Sequence, residues 1–101
     1  MAKLKELRGE STERLREMVT ETKDKLFKYR LRIAAGEEVN SHEAREMRRD
    51  IARMKTVVRS VELAAERAGV DADAARKGLE TNNWDVKRAV AALGRERAGS
   101  A

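Results

Sequence analysis

Met47–Val58 reads MRRDIARMKTVV. Met47, Ile51, Met54 and Val58 recur at spacings of four, three and four, which places them on one stripe of an α-helix. The stripe continues back to Ala44 and forward to Val61 and Ala65. Arg48, Arg49, Arg53 and Lys55 fall between these positions, on the far side of the turn. The segment is therefore expected to pack along one face and to carry positive charge along the other.

Upstream the pattern repeats. Leu15, Val19, Thr22, Leu26, Tyr29 and Ile33 keep spacings of four, three, four, three and four, a second helical stripe. Ser11 or Thr12 offers its N-cap, and Gly9 separates it from a short opening segment, AKLKELRG. Gly36 supplies a left-handed C-cap, and Asn40 caps the next helix with Glu43 three residues on. So short a connection makes the two helices antiparallel. The fold class expected is all-α, beginning with an antiparallel two-helix hairpin.

Composition agrees with helices. The chain has 101 residues, no proline, 3% aromatics and 41% charged residues, which disfavours sheets and leaves few helix breakers. The apolar periodicity argues against disorder despite the charge. Without cysteine there is no disulfide framework and no thiolate metal site. No apolar run approaches the roughly 20 residues that span a bilayer, and MAKLKELRGE lacks the apolar centre of a secretory signal. The expectation is a soluble, intracellular, cytoplasmic protein with no membrane partner.

Charge divides the chain. Residues 1–60 hold 16 Lys/Arg against 11 Asp/Glu, whereas residues 61–101 hold seven of each, so the whole surplus of five lies in the first part. On the second helix Arg45, Arg48, Arg49, Arg53, Lys55 and Arg59 face away from the stripe, with Glu46 and Asp50 on one flank, where they are not expected to neutralise that face. The first helix adds Lys23, Lys25, Lys28, Arg30 and Arg32. Charge on a helix is most often only a solvated face. Two helices sharing one seam bury little, however, and such a hairpin gains from an external scaffold. A phosphate backbone suits the surplus, since arginine grips phosphate through a bidentate fork.

The residues Leu26–Val58, LFKYRLRIAAGEEVNSHEAREMRRDIARMKTVV, closely resemble the bacterial-type large-subunit ribosomal protein L-twenty-nine family. The likeness lies in Leu26–Phe27, Arg30, the Ala34–Gly36 turn and the ungapped Arg48–Thr56 block, and it extends over about residues 3–59. Glu37 and Glu38 stand where Gln-Leu is common, and Glu43 where a basic residue often occurs. The resemblance implies a hairpin on large-subunit ribosomal RNA near the nascent-chain exit, beside the twenty-third large-subunit protein, with no catalytic role. Carried onto this sequence, it implies phosphate contacts from Arg30, Arg48, Arg49, Arg53 and Lys55, with Lys28 and Arg32 beside them, and a turn shaped by Gly36. Phe27 either packs or stacks on a base. Thr56 bonds either a phosphate or its own helix.

Beyond Arg59 the chain continues SVELAAERAGVDADAARKGLETNNWDVKRAVAAL. Ser60 can cap a helix through about Arg67; with no Gly or Pro before Gly69, one long helix from Ser41 into this segment is equally open. Asp71 caps Ala72–Glu80, and Asn82 or Asn83 caps Trp84–Leu93. Val61, Leu63, Ala64, Val70, Ala75, Leu79, Trp84, Val86, Ala89, Val90 and Leu93 form the expected core, and GRERAGSA reads as a flexible tail. Gly78 inside a helix costs roughly 1 kcal/mol against alanine unless a close contact requires it. VELAAERAGV, AARKGLETNN and WDVKRAVAAL together resemble a ubiquitin-associated-like (UBA-like) fold, in the version of the nascent-polypeptide-associated complex and of elongation factor Ts. Ala68–Gly69–Val70 is not the Met-Gly-Phe/Tyr loop of ubiquitin binders, so ubiquitin binding does not follow.

The expected division is residues 1–59 as the RNA-binding hairpin, 60–94 as a UBA-like module and 95–101 as tail. No metal spacing, nucleophile elbow or phosphate-cradling glycine loop occurs, and His42 is alone in the turn. Neither an enzyme, a cofactor nor a small-molecule substrate is expected. The function expected is a structural constituent of the large ribosomal subunit whose extension meets neighbouring components or nascent-chain factors. The rival is a free UBA-like adaptor or chaperone factor with a coiled-coil dimerisation hairpin.

Overall fold

A computed structural model describes residues 4–99. They form five helices: α1 (Leu4–Arg8), α2 (Thr12–Ala34), α3 (Ser41–Ala68), α4 (Ala72–Thr81) and α5 (Val86–Gly99), with no strand among the described residues. The all-α expectation holds. Two compact units divide between Val57 and Val58.

In the first unit Ser11 starts α2, its hydroxyl accepting from Arg14 N–H at 3.1 Å. At the other end Gly36 N–H donates to the Ile33 carbonyl and Glu37 N–H to the Arg32 carbonyl. These two bonds are a Schellman closure, which needs a left-handed residue at Gly36, where φ is 86°. Asn40 then opens α3, its side-chain oxygen accepting from His42 N–H at 2.9 Å. Leu26 and Tyr29 of α2 pack with Ala44, and Val39, Met47 and Ile51 lie against them. The Tyr29 hydroxyl donates to the Asn40 carbonyl. Leu7, Leu15, Met54 and Val57 are buried as well.

Ile33 departs from the stripe expectation, being 49% exposed. Tyr29 already reaches the level of Asn40, just before α3 begins, so Ile33 sits a turn further on and overhangs the start of the opposing helix. Val58 and Ala65 are only half-buried, while Val57 and Ala64 are buried. A strict three-four repeat drifts round a 3.6-residue helix, and along its second half α3 buries Met54, Val57, Val61, Ala64 and Ala68 instead.

The second unit takes its first helix from the end of α3, which runs through Ser60 without a break. Val61 and Ala64 of α3, Ala75 and Leu79 of α4 and Ala89 of α5 form its core, with Val70, Trp84, Val86 and Val90 packed around. Gly78 is buried against Leu93, whose Cδ1 lies 2.9 Å from where a Cβ would stand. The close approach of α4 and α5 thus leaves room for a Cβ at this position only if the Leu93 side chain shifts. Asp71 caps α4, accepting from Ala74 N–H at 2.8 Å.

The start of α5 differs from the reading of Asn82 or Asn83 as its cap. Asn83 adopts φ 55° and closes α4 instead, with Trp84 N–H donating to the Leu79 carbonyl. Trp84 is itself left-handed at φ 60°, so α5 cannot begin there; Asp85 caps it, accepting from Arg88 N–H at 3.2 Å. The helix then continues to Gly99, into the stretch that composition reads as tail.

Candidate nucleic-acid interface

The cations of the hairpin fall into two groups. On α3 the Arg49 guanidinium meets Glu46 at 3.0 Å and Arg53 meets Asp50 at 3.1 Å, both three residues apart. Glu46 and Asp50 therefore do neutralise part of the basic side, contrary to their expected place as bystanders on its flank. An i, i+3 spacing brings flank and face within reach of each other. Only one Glu46 oxygen is served this way; the other is buried without a hydrogen-bond partner among the described residues. Arg53 is the most sheltered of the candidates, its side chain 33% exposed.

Arg48 and Lys55 are different. Both are exposed, and among the described residues neither makes an ion pair. Arg45 shares these properties. Spacings of three and seven put Arg45, Arg48 and Lys55 along one flank of α3, beside the packed line of Ala44, Met47 and Ile51, with Lys55 four residues after Ile51. Arg45 was not among the candidates carried over from the resemblance. Its signal was in the sequence, as the residue one turn before Arg48 on the same line.

On α2, Lys28 pairs with Asp24 at 3.1 Å and Arg32 with Glu37 at 2.9 Å, while Arg30 is exposed and makes no ion pair among the described residues. Arg32 and Glu37 are the two ends of the Schellman closure, so their side chains are brought together by the turn that Gly36 permits. These are surface pairs in water, worth at most about 1 kcal/mol each, and an incoming phosphate can compete for the cation. Arg14 is committed elsewhere, between Glu17 at 3.3 Å and Glu21 at 3.4 Å. The hydrogen bond to Glu17, then the charge of Glu21, raises its guanidinium pKa above the usual value.

Thr56 donates to the Ala52 carbonyl at 2.8 Å, a bond within its own helix. Phe27 is 59% exposed and lies outside the packed cluster. His42 is exposed, and no three His, Asp or Glu side chains among the described residues are grouped to hold a metal. No helix among them is long and apolar enough to cross a membrane.

A helical hairpin with one packed seam and exposed cations, among described residues with no metal cluster, has the build of a structural protein. The chain belongs to the ribosomal L29 protein family, whose family model matches residues 5–60. Among its relatives, the large ribosomal subunit protein uL29 of Geobacillus stearothermophilus is 40% identical over 65 residues, 64% of this chain and 98% of that protein. The protein of the same name in Moorella thermoacetica is 44% identical over 66 residues, again 98% of its own length and 65% of this chain. No solved structure matches. This is a structural ribosomal protein and not an enzyme, and its place is the cytoplasm.

Proposed function

We propose that the chain is a constituent of the large ribosomal subunit, held on its RNA by the hairpin near the nascent-chain exit and beside the twenty-third large-subunit protein. The observation that carries RNA binding is the set Arg45, Arg48 and Lys55: three exposed cations along one flank of α3, beside the packed cluster, with no acidic partner among the described residues. Arg30 and Arg32 with Lys28 extend the basic surface along α2, and Arg49 and Arg53 join it by exchanging a carboxylate for a phosphate. Location at the exit rests on the family resemblance. The second unit is a UBA-like protein-interaction module; three short helices around an alanine-rich core and a balanced charge suit a protein surface better than a polyanion.

Binding of the full chain to protein-free large-subunit ribosomal RNA, titrated against salt, tests this. Each phosphate contact contributes about 0.7 to 0.9 to the log–log slope. The double substitution Arg48→Ala and Lys55→Ala should flatten the slope by about 1.4 to 1.8 on the same basis, with helicity unchanged. Arg49→Ala with Arg53→Ala should flatten it less, because those cations give up an internal partner to bind. A salt-insensitive, RNA-free homodimer would instead establish the adaptor reading.

A further inference from the structure

Phe27 and Leu31 stand four residues apart on α2, 59% and 53% exposed, outside the buried cluster of the hairpin. An i, i+4 pair presents one continuous apolar surface. Arg30 is the i+3 neighbour of Phe27, exposed and without an ion pair among the described residues. The stretch from Lys23 to Ala34 holds five cations and a single carboxylate, Asp24, which is taken by Lys28.

From this juxtaposition we infer that Phe27, backed by Leu31, is a stacking platform for an unpaired RNA base, while Arg30 holds the phosphate of the same or the adjoining nucleotide. The inference rests on the RNA-binding reading above and names one contact within it. A phenyl ring offers its π-face to any base, and single-stranded segments of RNA are recognised by such stacking next to a cation. Charge decides between a nucleotide and a protein as occupant. A protein neighbour would have to place a carboxylate beside its apolar contact to meet Arg30, whereas every nucleotide carries a ring and a phosphate together, and the surplus of cations around Phe27 suits a chain of phosphates.

The test uses the full chain and protein-free large-subunit ribosomal RNA. Because Phe27 is outside the core, Phe27→Ala, Phe27→Leu and Phe27→Trp should keep the helical circular dichroism of the parent. Phe27→Ala and Phe27→Leu should each weaken binding by roughly 5- to 100-fold with the salt slope unaltered, since no phosphate contact is lost. Phe27→Trp should bind at least as well as the parent. Equal binding by Phe27→Leu and Phe27→Trp would overturn stacking, because apolar bulk alone would then suffice. Unchanged RNA affinity of Phe27→Ala together with lost incorporation into the subunit would also overturn it, in favour of a protein neighbour. If Arg48→Ala with Lys55→Ala weakens binding and Phe27→Ala does not, stacking fails while the phosphate reading stands. If the parent chain itself shows no salt-dependent binding, both fall together.

Discussion

The Tyr29 hydroxyl donates to the carbonyl of Asn40, the residue whose own side chain opens α3. One side chain on α2 thus fixes the level at which the returning helix begins. Tyr29→Phe keeps the ring in the cluster and removes only the donor. A single buried hydrogen bond contributes about 0.5 to 1.5 kcal/mol. Urea unfolding followed by far-ultraviolet circular dichroism should show the hairpin less stable by that amount, and an unchanged midpoint would mean water serves the carbonyl equally well.

At Gly36 a Cβ would meet nothing within 4 Å, so substitution there tests backbone conformation alone. A left-handed residue costs roughly 1 to 2 kcal/mol when it carries a Cβ. Gly36→Ala should destabilise the hairpin by about that much, and Gly36→Asn by less, because Asn tolerates the conformation. Equal loss for both variants would count against the Schellman closure.

Gly78 makes the opposite case, since its conformation is ordinary and its space is filled. Alanine would gain about 1 kcal/mol of helix propensity but would press on Leu93, at a packing cost of about 1 to 3 kcal/mol. Gly78→Ala should therefore be net destabilising. Leu93→Ala is destabilising too, yet the double variant should recover part of the sum, a coupling readable in a double-mutant cycle. Strict additivity would show the two helices free to move apart.

Glu37→Gln removes the carboxylate that holds Arg32 while leaving Glu37's main-chain bond to the turn in place. RNA affinity should rise two- to five-fold, since exposed pairs are worth about 1 kcal/mol or less. The salt slope should steepen by no more than about 0.9, the value of one added contact. A fall in affinity would mean that Glu37 positions Arg32 for binding rather than competing with the RNA.

Much of the architecture was legible before any coordinates. Caps at Ser11, Asn40 and Asp71 and the turn at Gly36 are local chemistry, and each is found at the expected residue. The core of the second unit was legible in the same way, since Val61, Ala64, Ala75, Leu79 and Ala89 follow helical spacing. What was hidden depends on geometry that spacing does not carry. Asn83 has the chemistry of an N-cap and serves as a C-terminal closure, because Asn suits both roles and only the backbone angle separates them. The basic face looked uniform in sequence. Its division into Arg49 and Arg53, which pair with carboxylates three residues before them, and Arg48 and Lys55, which have none at that spacing, was by contrast present in the sequence and passed over there. The exposure of Phe27 was unreadable, since a phenylalanine one step off a seam looks like core until the opposing helix is placed.

The chain's one tyrosine and one tryptophan are divided between its two units: Tyr29 is buried among Leu26 and Ala44, and Trp84 leans on the core around Leu79 and Ala89. The second unit thereby carries its own built-in optical reporter. Excited beyond the phenol band, the indole follows the surroundings of Trp84, so setting its emission against the helical signal of the whole chain can reveal whether the halves lose their order in concert or in turn.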